Sequence, residues 1–197
     1  MREEEGMEKE AHPAGDRIAL LIIDMINDLE FEGAPAVLDQ AEAVSHAVVK
    51  LKAAARRAGA PVIYVNDNFG RWSDDRRQIT AHASRKGVRG AAITKRLAPK
   101  DDDIFVIKPQ HSGFYGTNLQ VLLPSLGVTR LVLVGMAADL CVLFTAADAH
   151  MRQYRLWTPG DCLVPSKPDR LKPALDILKD GLAADVGLSP ELKELWR

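Results

Sequence analysis

The sequence predicts an α/β protein in three layers, α/β/α, with a six-stranded parallel sheet covered by helices on both faces. Three observations predict it. Short β-branched runs alternate with longer segments of helical periodicity, the pattern of successive βαβ units. The strand candidates are apolar on both faces, as they must be when helices cover both sides. A chain of 197 residues, 47% of them apolar, is long enough to bury one such core.

The elements follow in order. Residues 1 to 15, MREEEGMEKEAHPAG, are dense in charge and nearly free of large apolar side chains. Burial cannot offset the cost of ordering them, so they are predicted to form a disordered tail, with residues 16 to 197 as a single domain. RIALLIID (17–24) is the first strand. In APAVLDQAEAVSHAVVKLKAAARRAG, Val37, Ala41, Val44, Val48, Leu51 and Ala55 recur at intervals of three and four, and Gly59 with Pro61 ends the helix. APVIYVND (60–67) is the second strand. The segment 67–102 breaks the rhythm, being rich in Arg, Asp and Gly and holding Phe69 and Trp72 without a strand signal. It reads either as a lid over a site or as a loosely ordered insertion. DIFVIK (103–108) resumes the pattern, followed by a helix over Thr117 to Leu126 closed by Gly127 and a strand at RLVLVG (130–135). After Cys141, VLFTAADAHMRQY reads as a helix, RLWTPGDC as a fifth strand, and PDRLKPALDILKDGLA as a helix before a brief ADV.

Composition narrows the function. Twenty-six basic residues against 27 acidic ones give a net charge of -1, so no global positive field exists to draw in nucleic acid or an anionic membrane surface. A small-molecule partner is expected instead. Two cysteines, Cys141 and Cys162, are too few for a disulfide framework, and no signal peptide is recognisable, which points to reduced thiols and a cytoplasmic location. The longest apolar runs, Ile18 to Ile23 and Leu131 to Val134, fall far short of the roughly 20 residues of a membrane span.

In open α/β sheets, ligands gather at the carboxyl ends of the strands, where the strand order reverses. Asp24 closes the first predicted strand, Lys108 closes the third, and Cys141 follows the fourth by a short turn. Each has a plain structural alternative: Asp24 as a helix N-cap, Lys108 as a lysine reaching to water, Cys141 as a small packing residue. Their shared location decides against those alternatives. Packing has no need to bring an acid, an amine and a thiol to one sheet edge, whereas a buried carboxylate and ammonium need each other. A thiol at a helix start beside a cation is expected to favour the thiolate.

The stretches IIDMINDL, KPQHSGFYGTNLQVLL and GMAADLCVLFTAADAHMRQY together resemble the isochorismatase-like cysteine hydrolases, the superfamily of nicotinamidases and carbamoylsarcosine-type amidohydrolases, from about Arg17 to Pro165. The resemblance implies a Rossmann-like fold and a catalytic triad of Asp24, Lys108 and Cys141. Asp24 would act as general base, Lys108 would keep it charged, and Cys141 would attack a carbonyl to form a thioester acyl-enzyme. It further implies an oxyanion hole from the backbone N–H groups of Ala137 or Ala138 and Cys141, a cis peptide between Met136 and Ala137, and assembly as a dimer or tetramer.

Departures from the family pattern refine this. Where nicotinamidases carry metal-binding histidines after the second strand, this chain reads NDNFGRWSDD, with no histidine before His82, so no metal and no cofactor are expected. Leu29 stands where nicotinamidases have an aromatic residue, which removes the stacking partner of a pyridine ring. Retention of Cys141 favours an amide or related carbonyl substrate. Two rivals remain, a vinyl ether hydrolase using Asp24 as an acid and a non-catalytic thiol sensor.

Leu29, Asn66, Phe69, Trp72, Phe114 and Tyr115 are the candidate substrate-binding residues, with aromatics equally able to serve as packing. His111 either faces the site or lies on a surface loop. Asn27 and Asp28 are expected to fix the turn after the first strand, and Cys162 to be buried at the end of the fifth. Arg71, Arg76, Arg77, Arg85 and Arg89 form a charge run whose ordinary reading is a solvated face.

Overall fold

The computed structural model describes residues 16–193, 195 and 196. The tail expected at 1–15 lies outside the described residues. Six parallel strands form one sheet: β1 (Arg17–Ile23), β2 (Val62–Asp67), β3 (Ile104–Lys108), β4 (Val128–Met136), β5 (Arg155–Trp157) and β6 (Leu163–Val164). The helices are α1 (Ala34–Arg57), α2 (Arg76–Ala83), α3 (Ala91–Arg96), α4 (Leu119–Ser125), α5 (Leu143–Met151) and α6 (Leu171–Asp176). The strand order is β3-β2-β1-β4-β5, with β6 also paired to β4.

Alternation along β1 builds the two inner layers. Ile18, Leu20 and Ile22 face one core with α1, while Ala19, Leu21 and Ile23 face the other with α4, α5 and α6. The six predicted positions of α1, from Val37 to Ala55, are all buried in the first core. Burial of each larger one contributes about 1.5–3 kcal/mol. Among the described residues, no helix is long and apolar enough to cross a membrane.

Two expectations near the C-terminus are corrected. RLWTPGDC is not one strand: β5 ends at Trp157, Pro159 has no N–H to continue a ladder, and Gly160–Cys162 is a 3-10 turn. The sixth strand is Leu163–Val164, paired with Gly135 and Met136 further along β4, whereas the ADV stretch contributes only a bridge from Asp185 to Trp157. The last predicted helix is shorter, with a 3-10 turn at Pro168–Arg170 before α6 and a π-turn at Ile177–Gly181 after it. Cys162 is fully buried, as its type led us to expect, although it precedes β6 rather than ending β5.

The segment 67–102 carries α2 and α3. Asp75 caps α2 by accepting from the Arg77 and Gln78 amides, with Gln78 bonding back to its N–H. Ile79 and Ala83 of α2, with Ile93 and Leu97 at α3, are buried in the core that α1 builds. Gly90 approaches the loop after β1 so closely that a Cβ there would lie 1.9 Å from the Asn27 carbonyl oxygen. The far end of the segment is held by a buried polar network. Lys52 pairs with Asp103 at 2.6 Å and donates to the Tyr64 hydroxyl at 2.7 Å, which in turn donates to the Leu97 carbonyl at 2.5 Å.

Candidate active site

Connections from β1 run through β2 to β3 on one side, and those from β4 run to β5 and β6 on the other. The crevice at such a reversal is where open α/β sheets hold ligands. Asp24, the first residue beyond β1, stands there with φ 52, a left-handed conformation that aspartate tolerates better than most residues. Its N–H donates to the Val65 carbonyl at 3.0 Å. One carboxylate oxygen accepts the Asp67 N–H at 2.7 Å, and the other lies 2.9 Å from the Lys108 ammonium. Both oxygens are therefore engaged across the sheet, which excludes the helix-cap alternative.

Lys108 ends β3, in register with Asp67 at the end of β2. Since β2 lies between β3 and β1, reaching Asp24 means crossing two strand spacings, about 9–10 Å, for which a four-carbon stem is suited. The side chain is 0% exposed, so it does not reach out to water. Besides Asp24, the Nζ donates to the Gln110 carbonyl at 3.2 Å and to Cys141 Sγ at 3.4 Å, and lies 3.8 Å from the Asp67 carboxylate.

Cys141 sits in a π-turn, Ala138–Val142, that leads directly into α5. Such turns are frequent at functional sites. Three features hold this one in place. The Thr145 hydroxyl donates to the Cys141 carbonyl at 2.6 Å and accepts the Gly113 N–H at 2.9 Å. The Asp139 carboxylate accepts from the Ser166 N–H and hydroxyl at 2.8 and 2.6 Å. Gly135 adopts φ 116, and a Cβ there would fall 2.1 Å from the Ile23 carbonyl oxygen. The Met136–Ala137 peptide is cis, and the Leu140 and Val142 amides donate back to the Ala137 carbonyl at 3.0 and 3.1 Å.

Burial raises the Asp24 carboxyl above the ordinary carboxylate range, and the Lys108 charge offsets this only in part. For Lys108, burial would lower the pKa, but Asp24, the Cys141 thiol and Asp67 outweigh it and hold the ammonium charged. Burial and the Asp24 charge push the Cys141 thiol up to about 12, more than Lys108 pulls it down. The thiolate expected from the sequence is thus opposed by burial and by the Asp24 charge, and favoured by Lys108.

The candidate substrate-binding residues divide. Leu29 is 1% exposed and belongs to the core. The Asn66 side chain is fully buried, accepting the Ile26 N–H at 3.2 Å and donating to the Ile26 and Asp67 carbonyls at 3.1 and 3.0 Å, so it braces the loop after β1 instead of facing a substrate. Phe114 is packed against Tyr154 beneath the Arg152 guanidinium, which makes it core as well. Phe69 is half-buried against the first core, and Trp72 and Tyr115 are exposed. His111 is brought to the thiol, its Nδ1 3.7 Å from Cys141 Sγ and its ring 5.6 Å from that of Phe144.

Asn27 and Asp28 accept from the Leu29 and Glu30 amides, fixing the turn as their types foretold. Arg71, Arg76, Arg85 and Arg89 pair with Asp74, Asp101, Asp28 and Glu30, a neutralised face rather than an anion funnel. Among the described residues no cluster of three or more His, Cys, Asp or Glu is arranged to hold a metal. Sequence reasoning missed Thr145 and Asp139. Thr145 carried a signal, since a threonine hydroxyl reaches the carbonyl four residues back in a helix; the partner of Asp139 is too remote to infer.

Comparison with known proteins agrees with this architecture. The family model described as the isochorismatase domain matches residues 18–186. The chain is 37% identical over 176 residues to the uncharacterized isochorismatase family protein YaaI of Bacillus subtilis, covering 89% of this chain and 96% of that one. It is 32% identical over 145 residues to a probable inactive nicotinamidase of Arabidopsis thaliana, covering 69% and 74%. Its structure is similar to the crystal structure of N-carbamoylsarcosine amidase from Thermoplasma acidophilum, with a TM-score of 0.66, 30% identity, and coverage of 88% and 96%. The parallel sheet with its flanking helices, the family match along nearly the whole chain and the identity to YaaI establish that the chain belongs to the isochorismatase family.

Proposed function

We propose that the protein is a cysteine-dependent hydrolase of a small amide or related carbonyl compound. The observation that carries this reading is the meeting of Asp24, Lys108 and Cys141 at the reversal point of the sheet, with the lysine ammonium 2.9 Å from the carboxylate and 3.4 Å from the thiol sulfur. Similarity to an N-carbamoylsarcosine amidase supports the amide class.

Asp24 removes the thiol proton as Cys141 attacks the carbonyl carbon, and Lys108 stabilises the charge that the proton transfer redistributes. The backbone amides of Ala137, Ala138 and Cys141 are the proposed donors to the developing oxyanion. Collapse expels an amine or ammonia carrying the proton held by Asp24, and water then releases the acid from the thioester. A high thiol pKa is compatible with this chemistry, because the base and the nucleophile form a concerted pair.

The test is a screen of small amides, ureido acids and lactams with product analysis, repeated with Cys141→Ala and Asp24→Asn. Both variants are expected to lose about 10³-fold or more of the activity found. Amide hydrolysis that survives Cys141→Ala refutes the nucleophile, and cleavage of a vinyl ether that survives Cys141→Ala but not Asp24→Asn supports the chemistry in which Asp24 acts as an acid. A wild-type protein that turns over none of these compounds, with a Cys141 no more reactive toward electrophiles than a free thiol, refutes the hydrolase reading.

A further inference from the structure

We propose that His111 is the second proton carrier of the site, serving hydrolysis of the acyl-enzyme rather than its formation; this rests on the hydrolase reading above. Asp24 and Lys108 are buried beneath the thiol and engage each other. His111 is exposed to solvent, yet its Nδ1 lies 3.7 Å from Cys141 Sγ. Two contacts define its place. Lys108 Nζ bonds the carbonyl of Gln110, the preceding residue, and the imidazole packs at a tilt on Phe144, which lies three residues beyond Cys141.

The groups around the ring come from each neighbouring element. The π-turn supplies Cys141, and α5 supplies Phe144 together with Asp148, which is bonded to Ser112 and paired with Arg152. Behind the thiol stand Lys108, Asp24 and Asp67. A titratable side chain open to water and within contact of the sulfur is placed to receive a proton that the buried carboxylate is less well placed to take.

In the thioester, a water bonded to Nδ1 of neutral His111 attacks the acyl carbon. Its O–H bond breaks, with the proton passing to Nδ1 and the oxygen bonding to carbon. The C–S bond then breaks with its electron pair on sulfur. Nδ1 returns the proton to Sγ, which regenerates the thiol and neutral histidine with one water consumed.

The probe is p-nitrophenyl acetate with the full chain, which separates a burst of p-nitrophenolate (acylation) from the steady rate (deacylation). In His111→Gln the burst rate is expected within about threefold of wild type, while the steady rate falls roughly 100-fold, in the range of a general base. Acetyl-Cys141 should accumulate by intact mass. In His111→Ala, added imidazole should restore the steady rate. The proposal is overturned if His111→Gln deacylates within twofold of wild type, or if the burst falls in proportion to the steady rate. An absence of acetyl-Cys141 in the quenched wild-type protein overturns the underlying hydrolase reading as well, so the two failures are distinguishable.

Discussion

Replacing Lys108 by Met removes one charge of a pair whose members are 0% and 7% exposed, and leaves the Asp24 carboxylate in place without its cation. Breaking a buried pair from one side costs about 3–5 kcal/mol. Asp24 keeps the Asp67 N–H and its bond to the thiol, so the lower end, about 3 kcal/mol, is expected. For a chain of this size that corresponds to a fall in Tm of roughly 6–12 °C. The pH dependence has a definite sign. Without Lys108 the folded-state pKa of Asp24 rises further above its unfolded value, so the folded state binds more protons than the unfolded one and stability falls as pH rises. The deficit of the variant should therefore shrink as the pH is lowered from about 8 toward the ordinary carboxylate range near 4. Urea unfolding at several pH values measures both quantities. Adding Asp24→Asn to Lys108→Met should recover about 2 kcal/mol, because a neutral amide still accepts the Asp67 N–H. A loss below about 1 kcal/mol, a pH-independent deficit, or a double variant no more stable than the sum of the singles would refute the buried pair.

Two other substitutions probe the turn that carries the thiol. Gly135→Ala places a methyl against the Ile23 carbonyl at a positive φ, and should cost at least about 3 kcal/mol by thermal melting, together with activity. Thr145→Val keeps the shape but orphans the buried Gly113 N–H and frees the Cys141 carbonyl, costing about 1–3 kcal/mol in urea unfolding. Its turnover of p-nitrophenyl acetate should fall by about tenfold or more through misplacement of the sulfur.

How legible the molecule was depended on the length over which a pattern repeats. The period of three and four in α1 runs from Val37 to Ala55, and the two-sided apolar character of β1 and β4 leaves little choice but a covered parallel strand. β6 has two residues, too few for any periodicity, and Pro159 disguises the break that separates it from β5. In the 67–102 segment, α2 and α3 bury so few side chains that their apolar stripes vanish among arginines and aspartates. For the site, residues at strand ends were readable because a strand end is a definable place. Loop aromatics were not, since residue type does not reveal direction: Phe114 turns into the core while its neighbour Tyr115 turns outward. Asn66 misled for a related reason. Its partner Ile26 stands on a different strand end, and an amide that braces a loop looks in sequence like one awaiting a ligand. The burial that opposes ionisation of Cys141 was not legible either, because a helix start and a cation are visible in sequence whereas the depth of burial is not.

The strand that delivers Lys108 is the outermost one on its side of the sheet, with β2 as its one neighbour in the strand order. Asp24 and Cys141 stand at the sheet's interior, just beyond β1 and beyond β4, where strands are paired on both sides. The proposed reacting constellation is thus assembled from a permanent half and a docked half. What keeps it assembled is the local free energy of seating β3, aided by the Tyr64–Phe105 stack and the Lys52–Asp103 pair at the strand's start, and not the much larger stability of the central strands. Fraying of a single edge element would silence the site while leaving the rest of the fold intact.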